Sequence, residues 1–173
     1  MNRLPMHEAL KQIAFLEGKW ITDNGNLGLG KFPTIKPFTY CEEINFTSIG
    51  QPMFNCLAQS WHPALKKPMH RETGFMRIIP GTNKLSFLLA HSFGLTTIEE
   101  GTVVDNVINL KSTGIMRQTE GIKQPAVIET YREFKINGNS LEHVFCMATT
   151  TVPELTEHLR VKYTKIAEDS EEK

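Results

Sequence analysis

Residues 126–150 read AVIETYREFKINGNSLEHVFCMATT. Two runs rich in β-branched and aromatic residues flank Asn137-Gly138, which is the sequence form of a β-hairpin, because glycine accepts the positive φ of a tight turn at little cost. The same grammar extends outward in both directions. Short runs of this kind predict strands near 18–22, 27–31, 38–48, 53–62, 69–79, 84–91, 95–100, 104–111, 113–118, 126–136, 140–150 and 158–166. Pro80-Gly81-Thr82-Asn83 and Glu100-Gly101 supply two further hairpin joints. Only the first residues carry helical spacing, with Leu10, Ile13 and Leu16 recurring after a start at Pro5. An antiparallel chain with so little helix either stacks two sheets or closes on itself, and closure removes exposed edges. The expected fold is therefore all-β, a roughly ten-stranded antiparallel up-and-down β-barrel with a short N-terminal helical turn. It divides into a helical turn over 1–14, the barrel over 15–167 and an acidic, disordered tail over 168–173. A barrel of this size has room inside for one small ligand.

Composition narrows the partners. The 173 residues carry 19 basic and 19 acidic side chains, and the basic ones are scattered along the chain. That gives no electrostatic footprint for nucleic acid. No apolar run approaches the ~20 residues that span a bilayer, and MNRLPMHEALKQIAFLEGKW lacks the h-region of a secretion signal. The expectation is a cytoplasmic protein with no membrane partner. Cys41, Cys56 and Cys146 are far apart and form no CxxC pair, so they read as reduced, inert thiols.

Six histidines are the natural candidates for chemistry. His7 and His143 have no partner at ligand spacing and are set aside, and His62, before Pro63, reads as a turn residue. His70, His91 and His158 sit at the margins of three different strands. Zinc would need three or four ligands to converge, usually with a close sequence pair, and no HxH, HxxxH or HExxH spacing occurs. Convergence from separate strands of a barrel is the remaining route. Nucleophilic catalysis has less support: there is no G-x-S-x-G elbow, and Cys146 lies three residues from His143 on a strand, facing the other side. Glu42-Glu43 and Glu99-Glu100 diverge for the same reason. Haem asks less of a sequence, since one neutral imidazole can hold the iron if the surrounding pocket is apolar. Met53, Phe54, Met69, Phe75, Met76, Phe87, Phe93, Phe145 and Met147 could line such a pocket or simply fill a core. The residues alone therefore say small-molecule-binding barrel, with a carrier of fatty acid or another apolar ligand as the alternative to a haem protein.

Several segments, in order, resemble the nitrobindins, small haem-binding β-barrels related in architecture to fatty-acid-binding proteins. These are Phe15-Leu16-Glu17-Gly18-Lys19-Trp20, Gly28-Leu29-Gly30-Lys31-Phe32-Pro33-Thr34-Ile35, Tyr40-Cys41-Glu42-Glu43-Ile44, Pro68-Met69-His70-Arg71-Glu72-Thr73-Gly74-Phe75, Met147-Ala148-Thr149-Thr150-Thr151 and Thr156-Glu157-His158-Leu159. The resemblance implies one haem b per chain with His158 as the iron ligand and catalytic residue. It implies Thr34 at the haem edge, and Met69, His70, His91 and Met147 lining the pocket. It also implies nitric oxide binding and isomerisation of peroxynitrite to nitrate at ferric haem, and it leaves a homodimer open. Two departures stand out. Thr22 and Asn24 replace glycines of the family's Gly-x-Trp-x-Gly-x-Gly pattern, which implies an insertion in the first hairpin, and Val152-Pro153-Glu154-Leu155 is one residue longer than the pattern. Plain alternation groups His158 with Arg160, Lys162 and Thr164, the outward set, unless a bulge intervenes or the strand begins later.

Overall fold

The computed structural model describes residues 4–22 and 25–167. A 3-10 helix, Glu8–Leu16, precedes eleven strands: β1 (Gly18–Ile21), β2 (Gly28–Phe32), β3 (Ile35–Ser48), β4 (Met53–Trp61), β5 (Pro68–Ile78) and β6 (Lys84–His91), then β7 (Leu95–Val104), β8 (Val107–Arg117), β9 (Val127–Asn137), β10 (Ser140–Thr149) and β11 (Thr156–Lys165). Each strand from β2 to β11 pairs antiparallel with the next, and β11 returns to pair with both β1 and β2. Both of these short strands also pair with β3, β1 through Gly18–Ile21 and β2 through Gly28–Phe32. They are two halves of one staves' position, so ten positions close the barrel, as expected. The expected place of the first-hairpin insertion is between these two strands, and residues 23 and 24 lie outside the described residues, as does the expected tail over 168–173.

Two joints differ from the sequence expectation. Gly101 is no turn: β7 runs on to Val104, and the chain reverses at Asp105-Asn106, both with positive φ (48° and 62°). Asp and Asn adopt that conformation more readily than other non-glycine residues because their short side chains bond locally. The break expected near residue 112 is instead a bulge, where the pairing of β7 with β8 skips Thr113. The other expected hairpins hold, with Gly81 at φ 78° and Gly138 at φ 59°.

The helix closes one end of the barrel. His7 accepts a hydrogen bond from the Ala9 amide to start it, and Leu10, Ile13 and Leu16 are fully buried against the inward residues of the strands. Trp20 donates its indole N–H to the Leu16 carbonyl (2.8 Å), fixing the helix to β1. At that end the interior is an apolar core that includes Ile44, Phe46, Phe54, Met76, Phe87 and Phe134. No described helix is long and apolar enough to cross a membrane.

Gly101 offers a test of this register. A Cβ there would run into the Asn109 backbone carbonyl on β8, whereas one on Gly81 would meet open space. Gly101→Ala is expected to lose about 2–3 kcal/mol in urea unfolding, as an overpacked site does. Gly81→Ala should lose about 1–2 kcal/mol, the cost of its left-handed backbone alone.

Candidate functional site

Going from the closed end towards the mouth, the inward phase of the strands changes from apolar to charged. On β5, Ile78 and Met76 give way to Glu72 and then His70; on β3, Phe46 and Ile44 give way to Glu42; on β9, Phe134 gives way to Arg132. The result is a buried ionic layer across the barrel. Arg132 donates to both oxygens of Glu72 (2.8 and 3.3 Å) and to Glu99 (2.9 Å), with its guanidinium between the rings of Phe87 and Phe145. Thr130 also donates to Glu99. Burial works against the Arg132 charge, but Glu72 and Glu99 hold its pKa above the ordinary value. For Glu72 burial would raise the pKa; the Arg132 charge, helped by His70 and His91, keeps it well below the usual carboxylate range.

A hydrogen-bond chain leaves this centre. The Arg132 guanidinium lies 3.3 Å from Nε2 of His143, whose Nδ1 lies 3.3 Å from the Tyr163 oxygen. Tyr163 in turn donates its O–H to Glu42 (2.6 Å). Arg132 has only protons to give, so His143 accepts at Nε2, donates from Nδ1 and stays neutral. Burial first, then the Arg132 charge, pushes its pKa down to about 3. His143 stacks on Phe134 at 4.4 Å. Burial, with the Glu72 charge, pushes Glu42 up to about 7, although the Tyr163 hydrogen bond pulls the other way. His143, set aside from its sequence spacing, is thus central to the interior. Sequence spacing also missed Glu42, Glu72, Glu99, Arg132 and Tyr163. The available signal was that each shares the inward phase of its strand with core hydrophobics. Glu43 and Glu100 do diverge outward as expected, pairing with Lys19 and Thr113.

His158 lies nearer the mouth, on β11. Pairing with β10 matches Phe145 to Leu159 and then Cys146 to Glu157, so His158 is the extra residue of a bulge. A bulge sets two consecutive residues opposite one and breaks the alternation. His158 therefore leaves the outward set of Arg160 and Lys162, and its ring joins Phe32 (5.7 Å), Phe38 (6.2 Å) and Phe145 (6.5 Å). Its Nδ1 lies 3.0 Å from the Lys31 carbonyl, which can only accept, so Nδ1 carries the proton. Nε2 then bears the lone pair and has no partner among the described residues. Burial lowers the His158 pKa, favouring the neutral ring. Gly30 allows this packing: the Phe38 ring lies across it where any Cβ would stand.

The remaining expected residues fall in different places. His70 and His91 come together on the inward phases of β5 and β6, their rings 5.5 Å apart, across the barrel from β11. Met147 is half-buried on the inward phase of β10, opposite Thr156. Thr34 is exposed in the turn joining β2 to β3, three residues beyond Lys31. Met69 is not brought to the interior: it is 44% exposed, because its neighbour His70 takes the inward phase of β5. His62 is a turn residue as expected, accepting from the Leu65 and Lys66 amides.

A neutral imidazole with a free Nε2, turned into an aromatic-lined barrel mouth, is a donor set that fits a haem iron. The THAP4-like, heme-binding beta-barrel domain matches residues 9–165. The chain belongs to this family. The human protein named Peroxynitrite isomerase THAP4 is 40% identical over 162 residues, covering 93% of this chain and 27% of that protein. The chain thus spans about a quarter of the length of that relative. Peroxynitrite isomerase 1 of Mycolicibacterium paratuberculosis is 34% identical over 157 residues, covering 89% of this chain and 92% of that protein. The crystal structure of Rv2717c from M. tuberculosis superposes with a TM-score of 0.82 at 30% identity, over 94% of this chain and all of that one. Within the THAP4-like heme-binding barrel, the ionic layer forms the floor beneath the mouth at which His158 stands.

The ionic layer predicts two stability changes. Arg132→Met, which leaves two buried carboxylates without their cation, should cost about 3–5 kcal/mol in urea unfolding. Glu42 binds its proton more tightly folded (about 7) than unfolded (4.5), so the parent loses stability as pH rises through that window. Glu42→Gln cannot titrate, and its stability relative to the parent should improve by about 3 kcal/mol between pH 4.5 and 8.

Proposed function

We propose that the chain holds one haem b on His158, binds nitric oxide there, and isomerises peroxynitrite to nitrate. The observation that carries this reading is the bulge that turns His158 inward with its Nδ1 proton committed to Lys31. The family and the names of its relatives point the same way. When bound, ferric haem supplies an iron with an open coordination position at which nitric oxide or the peroxynitrite anion can bind. The chain's part is to hold and shield that group. The Lys31 carbonyl fixes the ring plane and tautomer of His158 and raises its basicity, as outer partners of metal-bound histidines do. Phe32, Phe38 and Phe145 pack around the imidazole. His70, half-buried across the mouth, is the polar group placed to meet a bound anion. A cytoplasmic setting belongs to the proposal, in keeping with three unpaired cysteines.

Hemin added to the purified chain should give a shifted Soret band saturating at one equivalent, lost or strongly weakened in His158→Ala. The lowered His158 pKa keeps the imidazole neutral at pH 7, so hemin affinity should hold through neutral pH and fall on acidification as Nε2 protonates. The hemin complex should accelerate peroxynitrite decay over the apo chain, with nitrate as product. An unchanged Soret band in His158→Ala would overturn the ligand assignment. Lipid recovered at one equivalent without hemin affinity would favour a carrier.

A further inference from the structure

Across the barrel from His158, three side chains aim donor atoms at one point. His70 Nε2 lies 3.4 Å from Glu72 Oε2 and 3.4 Å from His91 Nδ1, and His91 Nδ1 lies 3.2 Å from Glu72 Oε2. The backbone dictates this arrangement: His70 and Glu72 are consecutive inward residues of β5, and His91 is the cross-strand partner of Glu72 on β6. The triangle is nearly equilateral. A tetrahedral zinc site with bonds of about 2.0–2.1 Å has ligand-to-ligand edges of about 3.3 Å. Hydrogen bonding leaves one edge of the triangle unsatisfied in either tautomer: with a proton on both ring nitrogens the two N–H groups face each other, and with a proton on one, the lone pair of the other faces the Glu72 carboxylate.

The surroundings complete the geometry of a metal site. Arg132 holds Glu72 by a short bond to Oε1 (2.8 Å) and a longer one to Oε2 (3.3 Å), which fixes the carboxylate plane and leaves Oε2 facing the histidines. The far nitrogen of His91, Nε2, lies 3.2 Å from Thr97 Oγ1, which can accept a hydrogen bond from Nε2–H and so leave the lone pair on Nδ1. Phe93 packs on both imidazoles (5.5 and 5.7 Å) and covers the cluster from outside, while half-buried His70 leaves a way in from the mouth. We propose that His70, Glu72 and His91 bind one divalent transition-metal ion of the Zn2+ class, with the fourth position open to the barrel interior. Two histidines and a carboxylate with an open position are the donor set of catalytic zinc and non-haem iron centres. The site uses none of the groups that orient His158, but it takes His70, the side chain proposed above to meet an anion on haem, so it is proposed for the haem-free chain.

The test is calorimetric titration of the chelator-stripped full chain with Zn2+ at pH 7.5, together with Co2+ titration followed in the visible. One ion per chain, a Kd of about 10 µM or tighter and the strong visible bands of four-coordinate Co2+ are expected. His70→Ala and His91→Ala should each weaken binding about 100-fold with folding checked by circular dichroism; His70 is half-buried, so its variant decides the matter if His91→Ala does not fold. His158→Ala should bind Zn2+ as the parent does, which separates this site from the haem proposal. Absence of binding at millimolar ion, affinity unchanged in His70→Ala, or loss of binding in His158→Ala would overturn it.

Discussion

Arg132 is the group on which the interior of this barrel depends. It is a single guanidinium, almost wholly removed from water, shared between Glu72 on β5 and Glu99 on β7 while itself belonging to β9. Removing these charges from water costs several kcal/mol per ion, and only close, well-directed hydrogen bonds recover it. Those bonds exist only if the three strands take up their observed register and the sheet closes. Glu72 is then fixed for the histidines beside it, and His143, Tyr163 and Glu42 are oriented in sequence from the other side of the same cation. A barrel packed with hydrocarbon throughout would have no such layer, and its mouth would have no polar floor.

The two ends of the molecule follow from where that layer sits. Below it, the 3-10 helix and the inward aromatics make a dry core that contributes the apolar burial. Above it, the inward phase carries histidines and aromatics in place of further core, and the wall is adjusted locally. The bulge in β11 re-aims one imidazole, and Gly30 gives Phe38 room to pack beside it. Bulges recur next to functional sites because one extra residue redirects a side chain without disturbing the strands on either side.

Much of the fold was legible because strands, turns and their spacing are local properties. The hairpin at Asn137-Gly138 and the turn at Pro80–Asn83 declared themselves through residues that accept positive φ. Glu100-Gly101 misled for the same reason: glycine marks a turn or a close backbone approach, and at Gly101 the reason is the approach to Asn109, which only the neighbouring strand reveals. Single histidines could be ranked by position, and His158 was found through the ordered motifs around it. His143 could not be found by spacing, since its partners are 11 and 20 residues away on other strands.

The sequence by itself determined a closed antiparallel barrel of about ten strands, an N-terminal helical turn, the hairpin positions and the family. These rest on period-two patterning, turn chemistry and contiguous motifs, all carried within short windows. Only the tertiary structure decided which way His158 points, which carboxylates share Arg132, and that His70, Glu72 and His91 meet. Alternation argued for an outward His158, and a bulge visible only in the pairing of β10 with β11 reversed it. The physical reason is that side-chain direction in a sheet depends on register between strands, and register is set by partners far away in the chain.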